Sequence, residues 1–144
     1  MDEPPRTLKG TPFSIRLSGP TDRFVAAEAQ RTKRSKSAVV EALTEEAARM
    51  RRFPGIGFRE QDADRRAWVI GTGLDVWQIA EAYGRHGSVE DTVASTELRE
   101  RALRLALAYR DHYPHEIEQA IAENQRPLEA LQELYPFFVV EAAQ

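Results

Sequence analysis

Residues Thr11–Arg52 read TPFSIRLSGPTDRFVAAEAQRTKRSKSAVVEALTEEAARMRR, an alternating run followed by two helical ones. From Pro12 to Ser18 apolar and polar residues alternate. Phe13, Ile15 and Leu17 fall on one side; Pro12, Ser14, Arg16 and Ser18 fall on the other. This is the period of a half-buried strand. Two helical segments follow, over Thr21–Thr32 and Ser35–Arg52. A lone strand leaves its backbone donors and acceptors unpaired, and nothing nearby offers a hairpin partner. The partner the sequence supplies is the same strand from a second copy. The expectation is therefore a homodimer built on a two-stranded antiparallel ribbon. One face of the ribbon is apolar and covered by helices; the other carries Ser14 and Arg16 twice. A ribbon of that width fits the major groove of double-stranded DNA.

Gly19-Pro20 ends the strand, and Thr21 is expected to cap the first helix, whose buried side is Phe24, Val25 and Ala29. Arg31, Lys33, Arg34 and Lys36 bracket the turn between the helices. Ser35 is a natural cap for the second helix, with Ser37 in its first turn. Free N–H groups and the positive end of the helix dipole make that start an anion site. Val39, Leu43, Ala47 and Met50 form a stripe along the second helix, with Val40 beside it. A two-helix unit in one chain cannot bury a stripe that wide, which again implies a dimer. Arg49, Arg51 and Arg52 suit the C-terminal end of the helix. Phe53-Pro54-Gly55 is expected to stop it and begin a linker.

Phe13-Ser14-Ile15-Arg16-Leu17, Ala29-Gln30-Arg31-Thr32-Lys33-Arg34-Ser35-Lys36-Ser37 and Val39-Val40-Glu41-Ala42-Leu43, in that order and spacing, resemble the ribbon-helix-helix family of repressors and antitoxins. The resemblance covers about a third of the chain. It implies base contacts from Pro12, Ser14 and Arg16. Arg16 can reach guanine bidentately, and Pro12 can touch a thymine methyl. It also implies that the start of the second helix, where Arg34, Ser35, Lys36 and Ser37 stand, grips DNA phosphates.

Composition bounds the rest. A chain of 144 residues with 42% hydrophobic content can hold one domain or two small ones. It has no cysteine, which excludes disulfides and thiolate metal sites and suits a reducing cytoplasm. The acidic, proline-bearing start is unlike a signal peptide, and residues 1–10 are expected to be a disordered lead-in. No apolar run approaches the ~18 residues of a membrane span. Residues 1–53 carry a net charge of +4 and residues 54–144 a net charge of −7. Only the front half favours nucleic acid; the acidic half is better suited to packing on protein.

Ile56 and Phe58, the polar turn Gln61-Asp62-Ala63-Asp64, and Ala67-Trp68-Val69-Ile70 predict a hairpin over residues 56–71. Asp75 and Gln78 predict a capping box opening a helix that runs to Gly84. Gly87-Ser88 recaps the chain for a short helix, Val89–Ala94. Thr96 is expected to cap a longer helix with Leu98, Ala102, Leu105 and Tyr109 on one stripe. Pro114 is expected to open the next helix, with Ile117 and Ile121 facing inward. The runs 68–77, Gly87-Ser88-Val89-Glu90-Asp91, Ala106-Leu107-Ala108-Tyr109 and His112-Tyr113-Pro114-His115-Glu116-Ile117 resemble the helical family catalogued as domain of unknown function 433. In place of that family's Arg-Ile-Pro this chain has Gly73-Leu74-Asp75. The resemblance implies a homeodomain-like trihelical fold and an association with antitoxins whose toxins are PIN-type ribonucleases. The short helix in the recognition position carries Glu90 and Asp91 and no Lys or Arg, which suits phosphates badly. A dimerisation or partner-binding module is the better expectation.

Pro127 is expected to open a last helix bearing Leu128, Leu131 and Leu134, followed by Tyr135-Pro136-Phe137-Phe138-Val139-Val140. An apolar, aromatic run of this kind must be buried on something. Leu131, Leu134, Tyr135, Phe137 and Phe138 are the candidate partner-binding residues. The pair His112 and His115 is interrupted by Pro114 and has no companion ligands, so no metal is expected. No nucleophile elbow or phosphate loop is present, so the chain reads as non-enzymatic and without a cofactor.

The fold expected is mainly α: a ribbon-helix-helix unit over 11–53, a helical domain with a short β-hairpin over 54–126, and an apolar tail over 127–144. The function expected is a cytoplasmic DNA-binding antitoxin that represses its own operon and neutralises a PIN-type ribonuclease toxin through its C-terminal half. The alternative is a stand-alone repressor whose helical domain oligomerises or senses a ligand.

Overall fold

The computed structural model describes residues 10–134, with side chains described as far as Gln125. The described residues are mainly helical, with six α-helices and one small antiparallel sheet. They divide into two compact units that meet between Leu43 and Thr44, inside the second helix.

In the first unit, Thr11–Ser18 carries no strand ladder. The expected ribbon strand has no partner among the described residues of its own chain, and without a partner the backbone cannot be a strand. Helix α1 (Gly19–Thr32) begins two residues earlier than expected. Pro20 is tolerated in a first turn, where its missing N–H would have no intrahelical acceptor. Thr21 therefore lies inside the helix rather than at its cap, and its Oγ1 accepts from Ser18 Oγ at 3.0 Å. The helix closes on Lys33, which sits in the left-handed region at φ 56°. The Lys33 and Arg34 N–H groups both reach back to the Ala29 carbonyl, satisfying a carbonyl that would otherwise be orphaned.

Helix α2 (Lys36–Arg52) starts as expected, with Ser35 Oγ accepting from the Ala38 N–H at 3.1 Å. The core of this unit is small: Val25, Ala29 and Val39 are buried, with Leu17 and Val40 packed beside them. Phe24, expected inside, is exposed. On the α2 stripe only Val39 is buried; Leu43, Ala47 and Met50 are exposed.

The second unit begins with the C-terminal half of α2. No linker follows it. The Phe53 N–H closes on the Arg49 carbonyl, the Ile56 N–H on the Phe53 carbonyl, and the Ile70 N–H on the Gly55 carbonyl, so the chain turns directly into a sheet. The physical reason is Phe53 itself. Its ring is buried against Tyr109, His112 and Tyr113 at centroid distances of 5.5, 5.1 and 6.2 Å.

The expected hairpin is present as β1 (Ile56–Arg59) and β2 (Arg66–Val69), joined by a 3-10 turn at Asp62–Asp64. Ile56 pairs with Val69 and Arg59 with Arg66. A third strand, β3 (Leu74–Asp75), joins β2 through Trp68–Asp75 and Val69–Leu74 pairs. Asp75 then caps α3 (Val76–His86) in the expected capping box with Gln78. Ser88 caps α4 (Val89–Ser95) through the Asp91 N–H. Thr96 does not cap the next helix. Its hydroxyl donates to the Thr92 carbonyl at 2.7 Å and accepts from the Leu98 N–H at 3.2 Å, closing α4 instead. Helix α5 (Glu100–His112) then starts four residues later.

Helix α6 (Pro114–Leu134) opens on Pro114 as expected and runs on through Pro127, so no separate helix starts there. Ile56, Val76, Ile79, Leu103, Ala106, Tyr109 and Ile117 form the centre of the second core.

Candidate nucleic-acid interface

The residues expected to read DNA sit on an exposed surface of the first unit. Pro12, Ser14 and Arg16 are exposed along the segment before α1. Their apolar neighbours are exposed too: Phe13 at 84% and Ile15 at 55%. Of the three residues expected to face inward, only Leu17 is partly buried, packed on Val25, Ala29 and Val39. Phe24 on α1 and Leu43 on α2 add to the uncovered apolar surface, at 55% and 42% exposed. Strung along residues 13–43, these four side chains carry a large apolar area for a unit whose own core has three buried residues.

Arg34, Ser35, Lys36 and Ser37 come together at the start of α2, all exposed. Ser35 Oγ takes one N–H of the first turn; the remaining early N–H groups have no acceptor within the helix. Arg34 Nε donates to Thr32 Oγ1 at 3.3 Å. Lys36 Nζ pairs with Asp22 Oδ1 at 2.7 Å, both side chains being about half exposed (54% and 50%). A pair that open contributes little, so Lys36 can exchange Asp22 for a phosphate at small cost. Arg31 is held by Glu28 at 2.8 Å. The arrangement is a set of cations and N–H donors at a helix start, beside a segment that presents a guanidinium and a hydroxyl in alternate positions. Such a set has the charge and the donors to meet anions.

Of the tail residues expected to bind a partner, Leu131 and Leu134 lie on the backbone of α6. Tyr135, Phe137 and Phe138 lie outside the described residues.

The second unit is dense in arginine–carboxylate pairs that its sequence does not announce. Arg49 donates to Tyr109 Oη and to Glu116 Oε1, both at 2.8 Å, and to Glu45 Oε1 at 2.9 Å. Its guanidinium lies 3.8 Å from the Tyr113 ring centroid. The buried Tyr109 donates in turn to Glu116 Oε2 at 2.6 Å. Burial works against the Arg49 charge, yet Tyr109, Glu45 and Glu116 outweigh it and raise its pKa. Burial first, then Glu116, push the Tyr109 phenol well above the usual tyrosine range. Arg59 pairs with Asp75 at 2.7 Å and stacks on Trp68, while Arg65 forks onto both Glu46 oxygens. Residues 49, 109 and 116 share no periodicity, so no sequence signal links them.

His112 lies on α5, with Nδ1 3.2 Å from the Ala108 carbonyl and its ring against Phe53. His115 Nδ1 lies 4.0 Å from Glu118 Oε2. Among the described residues no helix is long and apolar enough to cross a membrane.

No family model, curated protein or solved structure matches the chain.

Proposed function

We propose that the chain is a homodimeric DNA-binding antitoxin, of the ribbon-helix-helix kind in its first unit, that represses its own operon. Paired segments from two copies enter the major groove of a palindromic operator. Ser14 and Arg16 meet base edges, Pro12 a thymine methyl, and Arg34, Ser35, Lys36 and Ser37 the flanking phosphates. The C-terminal half binds a toxin, a PIN-type ribonuclease in the family the second unit resembles, with Leu131, Leu134, Tyr135, Phe137 and Phe138 as contacts. The homeodomain-like reading of the second unit belongs to this proposal.

One observation carries the reading. The segment Thr11–Ser18 has neither helix nor ladder among the described residues, and it alternates exposed Phe13 and Ile15 with exposed Ser14 and Arg16. Exposed apolar residues in that alternation call for a covering partner, and self-pairing covers them while leaving the polar face free. The first unit, residues 1–43, is also close to the ~40 residues below which an unstapled domain rarely folds alone.

The second reading is a stand-alone repressor whose second unit senses a ligand. An apolar groove in that unit, described below, favours it.

The test is binding to the DNA upstream of the chain's own gene. Arg16→Ala should lose roughly 1–3 kcal/mol and relax base preference. Lys36→Ala should weaken all sequences alike and lower the salt slope by about one. If Arg16→Ala leaves both affinity and preference untouched, the groove assignment fails. A pull-down of full-length chain and of chain ending before Pro127 separates the two readings. Loss of a nuclease partner on truncation supports the antitoxin.

A further inference from the structure

The second unit carries a groove of about 1060 Å³. It lies between the β2–β3 turn, one face of α3, and the start of α5. Val69, Leu74, Trp77, Leu98, Ala102 and Leu105 give it an apolar lining, and Ile70 stands exposed at its edge. The side chains of two arginines on its rim, Arg99 and Arg101, have no hydrogen bond or ion pair with any described residue. Arg85 and Glu81, also on the rim, pair with each other at 3.4 Å. Glu97 is the remaining rim acid, so the unpaired charge there is one positive in excess. Arg99 gives the start of α5 no side-chain cap, which adds the positive end of a helix dipole. The groove thus suits an apolar segment followed by a carboxylate.

The chain contains such a segment. Tyr135-Pro136-Phe137-Phe138-Val139-Val140-Glu141 follows directly on α6. Seven residues reach at most ~25 Å when extended.

We propose that residues Tyr135–Glu141 dock in this groove of their own chain, the aromatic side chains on the apolar lining and Glu141 against Arg99 and Arg101. The groove then holds the partner-binding segment until a partner competes for it. Release by a partner rests on the partner-binding reading above; docking itself is independent of DNA binding.

The chain is free of cysteine, so Ala143→Cys gives one attachment point for a nitroxide on the full chain. Proton relaxation should be enhanced at the amides of Leu74, Leu98 and Ala102 and at the Trp77 indole. Arg99→Glu with Arg101→Glu should weaken docking about fivefold. Phe137→Ser with Phe138→Ser should abolish it. Groove signals that are unaffected, or enhancement spread evenly over the surface, overturn the proposal. Mixing isotope-labelled chain without nitroxide and unlabelled chain with nitroxide tests the source. Enhancement that persists in the mixture places a second copy's segment in the groove and overturns docking within one chain. These signals are read without DNA, so failure of operator binding leaves the result intact.

Discussion

Tyr109 shows how one residue sets a local energy balance. It is fully buried, yet its hydroxyl is engaged on both sides, accepting from Arg49 and donating to Glu116. Its raised pKa fixes the sign of a pH effect. A group whose folded pKa lies above its unfolded value stabilises fully below the unfolded value, about 10 for tyrosine, and progressively less as pH rises past it. Above pH ~10 the unfolded chain loses the Tyr109 proton while the folded chain keeps it. The slope is about 1.4 kcal/mol of lost stability per pH unit. Urea unfolding from pH 7 to 11 should show this loss in the native chain and a shallower one in Tyr109→Phe. Parallel profiles would remove Tyr109 as the cause. Arg49, which stays charged through this range, leaves the window to Tyr109.

At the scale of elements, the joint between α2 and β1 is the least forgiving point. Gly55 sits at φ 105°, and a Cβ there would come within 2.8 Å of Leu105 Cδ2. Its carbonyl also accepts from the Ile70 N–H, so the backbone cannot relax without loosening β2. Gly71 sits at φ 92° with open space around its missing Cβ. Gly71→Ala should therefore cost only the backbone strain, roughly 1–3 kcal/mol, and Gly55→Ala more than that. Chemical denaturation of both variants checks the order; equal losses would show that Leu105 moves aside freely. The other joints were legible because they are local. Ser35, Ser88 and the Asp75–Gln78 box each cap a helix within three residues. Thr21 and Thr96 were misassigned because a threonine beside a helix start can serve equally in a first turn or at a C-terminal end. Which role it takes depends on where the neighbouring apolar residues are buried. Pro127, expected to open a helix, lies within α6, where its lost hydrogen bond and local clash cost about 3 kcal/mol.

For the whole molecule, the two units differ in how much of their apolar surface they cover. Trp68 and Trp77, the chain's two tryptophans, both lie in the second unit, so tryptophan fluorescence reports that unit alone. Phe13→Ser with Ile15→Ser should shift sedimentation from dimer toward monomer while the tryptophan unfolding transition stays in place. A chain that remains fully dimeric with both changes would refute dimerisation through this segment. The first unit, residues 1–43, carries a net charge of +3 and the second, residues 44–144, a net charge of −6, so the positive excess lies with the first unit. The second unit uses many of its charges internally, in the Arg49, Arg59, Arg65 and Arg66 pairs.

The sequence alone determined what is short-range and periodic. The mainly helical composition, the hairpin over residues 56–71, the helix starting at Pro114 and the serine caps all follow from spacing, φ preference and single hydrogen bonds. The alternation in residues 12–18 was equally plain, but it specifies a strand only when a second backbone is present to complete the ladder. Tertiary structure decided what depends on distant partners. It turned Phe53 from the start of a linker into a core residue, placed Arg49 between Tyr109 and Glu116, added β3, and left Phe24 and Leu43 uncovered. Burial and ion pairing across 50 or more residues are set by which surfaces the packed elements bring within a few ångströms of each other, and no local pattern encodes that distance.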